Sequence, residues 1–279
     1  MKVFVIDVAK CSGCYNCQIA CKDEHCGNDW PPYAKPQPET GHFWMRVKQE
    51  EHGQVPKVRV EYTPWPCMHC EDPKCGRVAP DAVDVRDDGL VIIDPERAVG
   101  RRELVDACPY GAVFYNEELD VPQKCTGCAH LVDEGKLPHC VDLCATGALR
   151  FGDEEEFADE LLHAESYLLE EGCRPRVFYL NRPYLFLAGD VWDPACDEIV
   201  EGARVTLAML DGTVRKTVTD DFGDFYFRKL DEGVYDVAVE ADGYRPVERR
   251  GIELKKSLNL GDFHLHFFSP FLSQIFVIL

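Results

Sequence analysis

The chain lacks any apolar stretch long enough to cross a bilayer, and its first acid, Asp7, arrives too early for the hydrophobic region of an export signal. Basic residues are scarce. The 30 Lys and Arg stand against 50 Asp and Glu, a formal charge of −20, which argues against a nucleic-acid partner. No glycine-rich phosphate cradle follows a strand, and no local pattern supports a Ser/His/Asp set. Lys and Arg vanish altogether from residues 153 to 171, which carry nine acids. With 46% hydrophobic and 29% charged residues over 279 positions, disorder is also excluded. A folded chain of one large domain or two ordinary ones is expected, cytoplasmic, although export alongside a signal-bearing partner stays open.

Cysteine is what the chain has in excess. Of 15 cysteines, 13 lie between Cys11 and Cys144. The odd total and the missing export signal speak against a disulfide framework, and the short spacings point to bound metal. The strongest signal is Cys11-x2-Cys14-x2-Cys17-x3-Cys21. Three thiolates from one tight loop, with the next cysteine handed to a neighbouring site, is how paired cubane iron–sulfur clusters are held. Tetrahedral zinc competes for any Cys-x2-Cys pair, but these successive gaps suit it poorly. Two further groups follow, Cys67-x2-Cys70-x4-Cys75 and Cys125-x2-Cys128-x11-Cys140-x3-Cys144, with Cys108-Pro109 between them. These cysteines make three sets of four. Cys26, Cys173 and Cys196 are left as ordinary thiols.

An internal repeat suggests the pairing. Cys108-Pro-Tyr-Gly-Ala-Val-Phe matches Cys144-Ala-Thr-Gly-Ala-Leu-Arg-Phe, and Ala79-Pro-Asp-Ala-Val echoes both with alanine in place of cysteine. A hairpin at Asp87-Asp88-Gly89 and a helix capped by Asp94-Pro95 are expected between them. A bacterial ferredoxin unit would place its thiols there at Ala98, Arg101 and Leu104. Those positions and Ala79 are the four ligands of one further cluster, all absent together, which reads as a four-cluster plan with one site deleted. The hand-over rule then groups Cys11, Cys14, Cys17 and Cys144; Cys21, Cys125, Cys128 and Cys140; and Cys67, Cys70, Cys75 and Cys108. Lys10, Lys22, Lys74, Arg77 and Lys124 flank these thiols, either raising cluster potentials or simply solvated. His69 and His130 are expected to pack or donate beside the ligands rather than to bind iron.

The fold class expected is α+β: a tandem ferredoxin-like domain over residues 1–152, then a small all-β sandwich over residues 187–266. Between them, Phe157, Leu161, Ala164 and Leu168 fall at helical spacing, so residues 153–186 are expected to hold an acidic amphipathic helix and a strap. From Leu187 the pattern turns to short β-rich runs separated by Asp211-Gly212, Asp221-Phe-Gly223, Asp231-Glu-Gly233 and Asp242-Gly243. That stretch resembles the transthyretin-like carboxypeptidase regulatory domains. Residues 267–279 form an apolar tail too short to span a bilayer, expected to pack at a subunit contact, with a membrane-surface contact or a non-native extension as the alternatives.

Val5-Ile-Asp-Val-Ala-Lys-Cys11, Asp23-Glu-His25, Trp30-Pro31, Gly41-His-Phe-Trp44, Pro66-Cys-Met-His-Cys-Glu71, Cys108-Pro-Tyr-Gly111 and Gln123-Lys-Cys-Thr-Gly-Cys-Ala-His-Leu131 carry a wider resemblance. They resemble the small iron–sulfur subunits of the pyrogallol–phloroglucinol transhydroxylase type. That type lies within the electron-transfer subunits of the dimethyl-sulfoxide-reductase family of molybdenum enzymes. The resemblance implies three [4Fe-4S] clusters here. It also implies molybdenum with two pterin guanine dinucleotides in a separate large catalytic subunit, where polyphenol hydroxyls are exchanged. A reductive catechol dehydroxylase is the neighbouring reading. A free-standing polyferredoxin carrier, and a sugar- or peptide-binding role for the sandwich, are readings of other classes.

Overall fold

The computed structural model describes residues 1–268, so all but the first two residues of the expected apolar tail lie outside it. The chain divides into two compact units, Met1–Glu50 with Glu61–Arg182, and Glu51–Val60 with Pro183 onward.

In the first unit the apolar run Val3-Phe4-Val5-Ile6 becomes the central strand Lys2–Asp7, buried on both faces as an unbroken hydrophobic run requires. Leu149–Asp153 pairs with it antiparallel and Val177–Leu180 pairs parallel on its other edge. Phe4 and Ile6 face the large core with Trp44, Met68 and Tyr179, whereas Val3 and Val5 meet Leu180, Phe157, Leu161 and Ala164. Two short hairpins, Val83–Val85 with Val91–Ile93 and Phe114–Asn116 with Val121–Gln123, follow the first two copies of the repeat. Leu149–Asp153 follows the third. Apart from Asn16–His25, the helices of this unit are one-turn pieces set between loops.

Two expectations need correcting here. The acidic stretch is not one amphipathic helix. A capping box at Asp153 and Glu156 starts a 3-10 turn over Glu154–Phe157, and an α-turn over Ala158–Leu161 follows. The chain then leaves the helical path, because Glu165 exchanges backbone hydrogen bonds with Tyr179 at 2.9 and 2.8 Å. Acids four apart, such as Glu155 with Asp159 and Glu156 with Glu160, also repel along such a helix. Asp94 does cap, accepting from the Glu96 and Arg97 amides at 2.8 and 3.0 Å, but no helix starts there. Gly100, at φ +77°, interrupts the turn, and helix appears only at Glu103–Asp106. The strap, in turn, contributes the strand Val177–Leu180, and Cys173, Arg174 and Arg176 hydrogen-bond to the segment from Met68 to Asp72.

The second unit is a β-sandwich. One sheet sets Leu185–Asp193 beside Asp224–Leu230, Glu198–Ile199 and, in parallel, Leu258–His264. The other runs in the order Val214–Val218, Arg204–Met209, Gly233–Glu240, Val247–Leu254. Alternation buries Val205 and Leu207, Phe225 and Phe227, and Tyr235, Val237 and Val239 in one core. Residues 51–60, expected with the cysteine-rich part, group with this unit. Lys57 there is buried between the carboxylates of Asp190 and Asp224, the second at 2.9 Å.

Candidate iron–sulfur centres

All 15 cysteines are free thiols. The loops that carry them are bent by left-handed backbone: Gly13 and Tyr15 around Cys14, His69 before Cys70, and Gly127 and Cys128 after Cys125. Such turns aim successive amides inward, which suits an anionic occupant. Amides also reach individual sulfurs, Gly127 to Cys125 at 3.3 Å, Ala112 to Cys108 at 3.5 Å and Leu149 to Cys144 at 3.3 Å. The last two come from two copies of the repeat, with the donor four residues after the cysteine in one and five in the other.

The thiols gather in three places. Cys11, Cys14, Cys17 and Cys144 lie within electrostatic reach of one another, with Cys14 exposed. Cys21 lies with Cys125, Cys128 and Cys140, all four buried. Cys67, Cys70, Cys75 and Cys108 line one cavity with Val91, Val113, Tyr110, Lys74 and Lys124. Cys173, left aside on spacing, lines that cavity as well and is fully buried beside Cys70. Cys26 is half-buried and Cys196 exposed.

Burial and mutual repulsion push the thiols up, Cys17 to about 12, Cys128 to about 12 and Cys75 to about 11. Four converging sulfurs therefore ionise together only around a cationic core, and iron provides one. Buried polar atoms without partners sit beside them: Thr126 Oγ1, His69 Nε2, His25 Nδ1, and the side-chain amide of Gln37, which faces Cys21. Donors held in this way fit hydrogen bonding to sulfide and thiolate. The residues present thus fit iron–sulfur clusters.

His69 and His130 are placed beside the thiols. His69 Nδ1 accepts from the Val91 amide at 3.0 Å, and burial pushes its pKa well down. His130 stacks on Trp30 and lies 2.9 Å from Glu24. His25 was not singled out on its own, yet its Nε2 lies 3.7 Å from Cys128 Sγ. Burial first, then His130 and His139, push it down to about 3. Its position one helical turn after Cys21 was the available signal. Where the repeat predicts a deleted site, no set of four thiols converges among the described residues. Ala79, Ala98 and Leu104 are fully buried in an apolar cluster with Val83, Ile93 and Val113, and Arg101 turns out to Asp81 at 2.5 Å.

Buried thiol sets on a ferredoxin-like scaffold define an iron–sulfur electron-transfer protein. Residues 58–154 match the 4Fe-4S dicluster domain, and residues 187–266 match the carboxypeptidase regulatory-like domain. The pyrogallol hydroxytransferase small subunit of Pelobacter acidigallici is 40% identical over 92% of this chain and 96% of its own. A component of the anaerobic dimethyl sulfoxide reductase of Escherichia coli (strain K12) is 39% identical over 55% of this chain and 74% of its own. A component of the tetrathionate reductase of Salmonella typhimurium is 36% identical over 63% of this chain and 71% of its own. The chain belongs to this family of iron–sulfur subunits of molybdenum oxidoreductases, as an electron-transfer subunit. Among the described residues no helix is long and apolar enough to cross a membrane.

Proposed function

We propose that this chain carries three [4Fe-4S] clusters, held by Cys11, Cys14, Cys17 and Cys144; by Cys21, Cys125, Cys128 and Cys140; and by Cys67, Cys70, Cys75 and Cys108. Each such cluster, when bound, takes up and releases one electron. The polypeptide contributes the thiolates and the inward-facing amides, and around the Cys21 and Cys67 sets a largely dry surrounding. The catalytic centre, molybdenum with two pterin guanine dinucleotides, belongs to a large partner subunit, and the pair assembles as a heterodimer or a multiple of one. The reaction is hydroxyl transfer between polyphenols. What favours that over a general reductase role is the likeness to the pyrogallol hydroxytransferase small subunit, which extends through the β-sandwich to 96% of that protein. Clusters held by thiolates suit assembly in a reducing cytoplasm.

The observation that carries the reading is the convergence of twelve cysteines into three sets, with an apolar cluster at the fourth position. Complex isolated without oxygen is expected to contain about 12 iron and about 12 acid-labile sulfide per chain. About 16 iron would refute the deleted site, and stoichiometric zinc would refute the clusters. Pyrogallol turnover with a phloroglucinol-type product, needing no external electron donor, tests the reaction. A strict requirement for reductant would move the assignment to a reductive dehydroxylase.

A further inference from the structure

The five cations beside the thiol sets are not equivalent in the folded chain. Lys10 pairs with Asp7 at 3.6 Å, Lys74 with Glu171 and Arg77 with Asp72. Lys22 donates to the carbonyls of Pro38 and Gly41 at 2.6 and 2.8 Å. Lys124 alone is buried, 3% exposed. No carboxylate lies within ion-pair distance of it among the described residues. Its ammonium donates to the carbonyl oxygens of Val91 and, at 3.0 Å, Cys125. It lines the cavity of Cys67, Cys70, Cys75 and Cys108, and its charge also bears on Cys125, a member of another set. Cys125 in turn interacts with Cys67, so the ammonium stands where two thiol sets adjoin.

A buried ammonium facing only two carbonyl dipoles is poorly compensated. Anionic cluster cores on both sides would supply the missing counter-charge. An electron placed on one core raises the cost of a second electron on its neighbour, and a cation between them offsets that repulsion. We infer that Lys124 is the shared counter-charge of the clusters held by the Cys67 and Cys125 sets. It raises the reduction potential of both and leaves the cluster of the Cys11 set unaffected. This rests on the three-cluster reading above.

The test is an EPR-monitored redox titration, with iron analysis, of the assembled complex carrying wild-type chain, Lys124→Met or Lys124→Arg. In Lys124→Met, two of the three cluster signals are expected at lower potential with the third unmoved. Lys124→Arg, which keeps the charge, is expected to titrate as wild type. Wild-type complex without three clusters overturns the parent reading and this one with it, and that is seen before any variant is compared. With three clusters present, unchanged potentials in iron-replete Lys124→Met overturn the inference alone. A shift confined to one cluster, or an upward shift, does the same. Where Lys124→Met cannot hold iron, Lys124→Arg decides. Full iron at wild-type potentials supports the charge role, and iron loss there as well overturns it.

Discussion

At Gly127 the thiol loop depends on the absence of a side chain. The residue has φ +67°, and a Cβ there would stand 2.7 Å from Leu90 Cδ2, a side chain that is itself fully buried. Its amide is the one that reaches Cys125 Sγ. Gly147, beside Cys144, has a similar φ of +64° but open space around it. Gly127→Ala therefore combines left-handed strain with overpacking, about 2–4 kcal/mol together, whereas Gly147→Ala incurs only the strain, about 1–2 kcal/mol. Thermal unfolding of the iron-loaded variants, with iron counted per chain, should rank them in that order. Equal losses would show that Leu90 gives way freely. Single residues are also where sequence reading falls short. The approach of Cys173 to Cys70 joins positions more than 100 residues apart and no local spacing encodes it, while that of His25 to Cys128 spans as far and is hinted at only by the helical turn between Cys21 and His25.

Among the elements, the repeated Cys–turn–strand unit organises the first half. Cys108 leads into Phe114–Asn116, Cys144 into Leu149–Asp153, and Ala79 into Val83–Val85. The Ala79 copy carries no sulfur, whereas the Cys108 copy places its own beside Cys67, Cys70 and Cys75. Cys108→Ala should therefore damage the cluster of that loop, lowering iron from about 12 to about 8 per chain while the other two spectra persist. Loss of a different cluster would break the proposed pairing. These short units were legible because thiol spacing, Gly89 and Asp94 each act within a few residues. The acidic stretch was legible only in part. Phe157, Leu161 and Ala164 pack together against Val3 and Val5, as helical spacing implied. Leu168 instead joins the main core at φ +53°, because the Glu165–Tyr179 pairing redirects the chain.

At the scale of the whole molecule, the two units are not consecutive in sequence. Composition changes near residue 187, but nothing in residues 51–60 announces that they group with residues 183–268, since a lysine at position 57 looks like any other surface charge. Folded, Lys57 is buried between Asp190 and Asp224. Burial alone would lower its pKa, but the two carboxylates raise it. Burial and the neighbouring Asp190 raise that of Asp224, and Lys57 opposes both. Lys57→Met leaves two carboxylates facing each other. Because both keep about a quarter of their surface in water, the expected loss is about 2 kcal/mol, less than for a fully buried pair. The sign of the pH dependence follows. Without Lys57, Asp224 in the folded state rises further above its unfolded value, so it stabilises the fold below that value and ceases to as pH rises through the folded one. Lys57→Met should thus be more damaging at neutral pH than near pH 4. Protease cleavage within residues 51–60 reports this, while iron content stays at the wild-type level because no proposed ligand lies in that unit. Equal cleavage at both pH values would show that the aspartates do not repel.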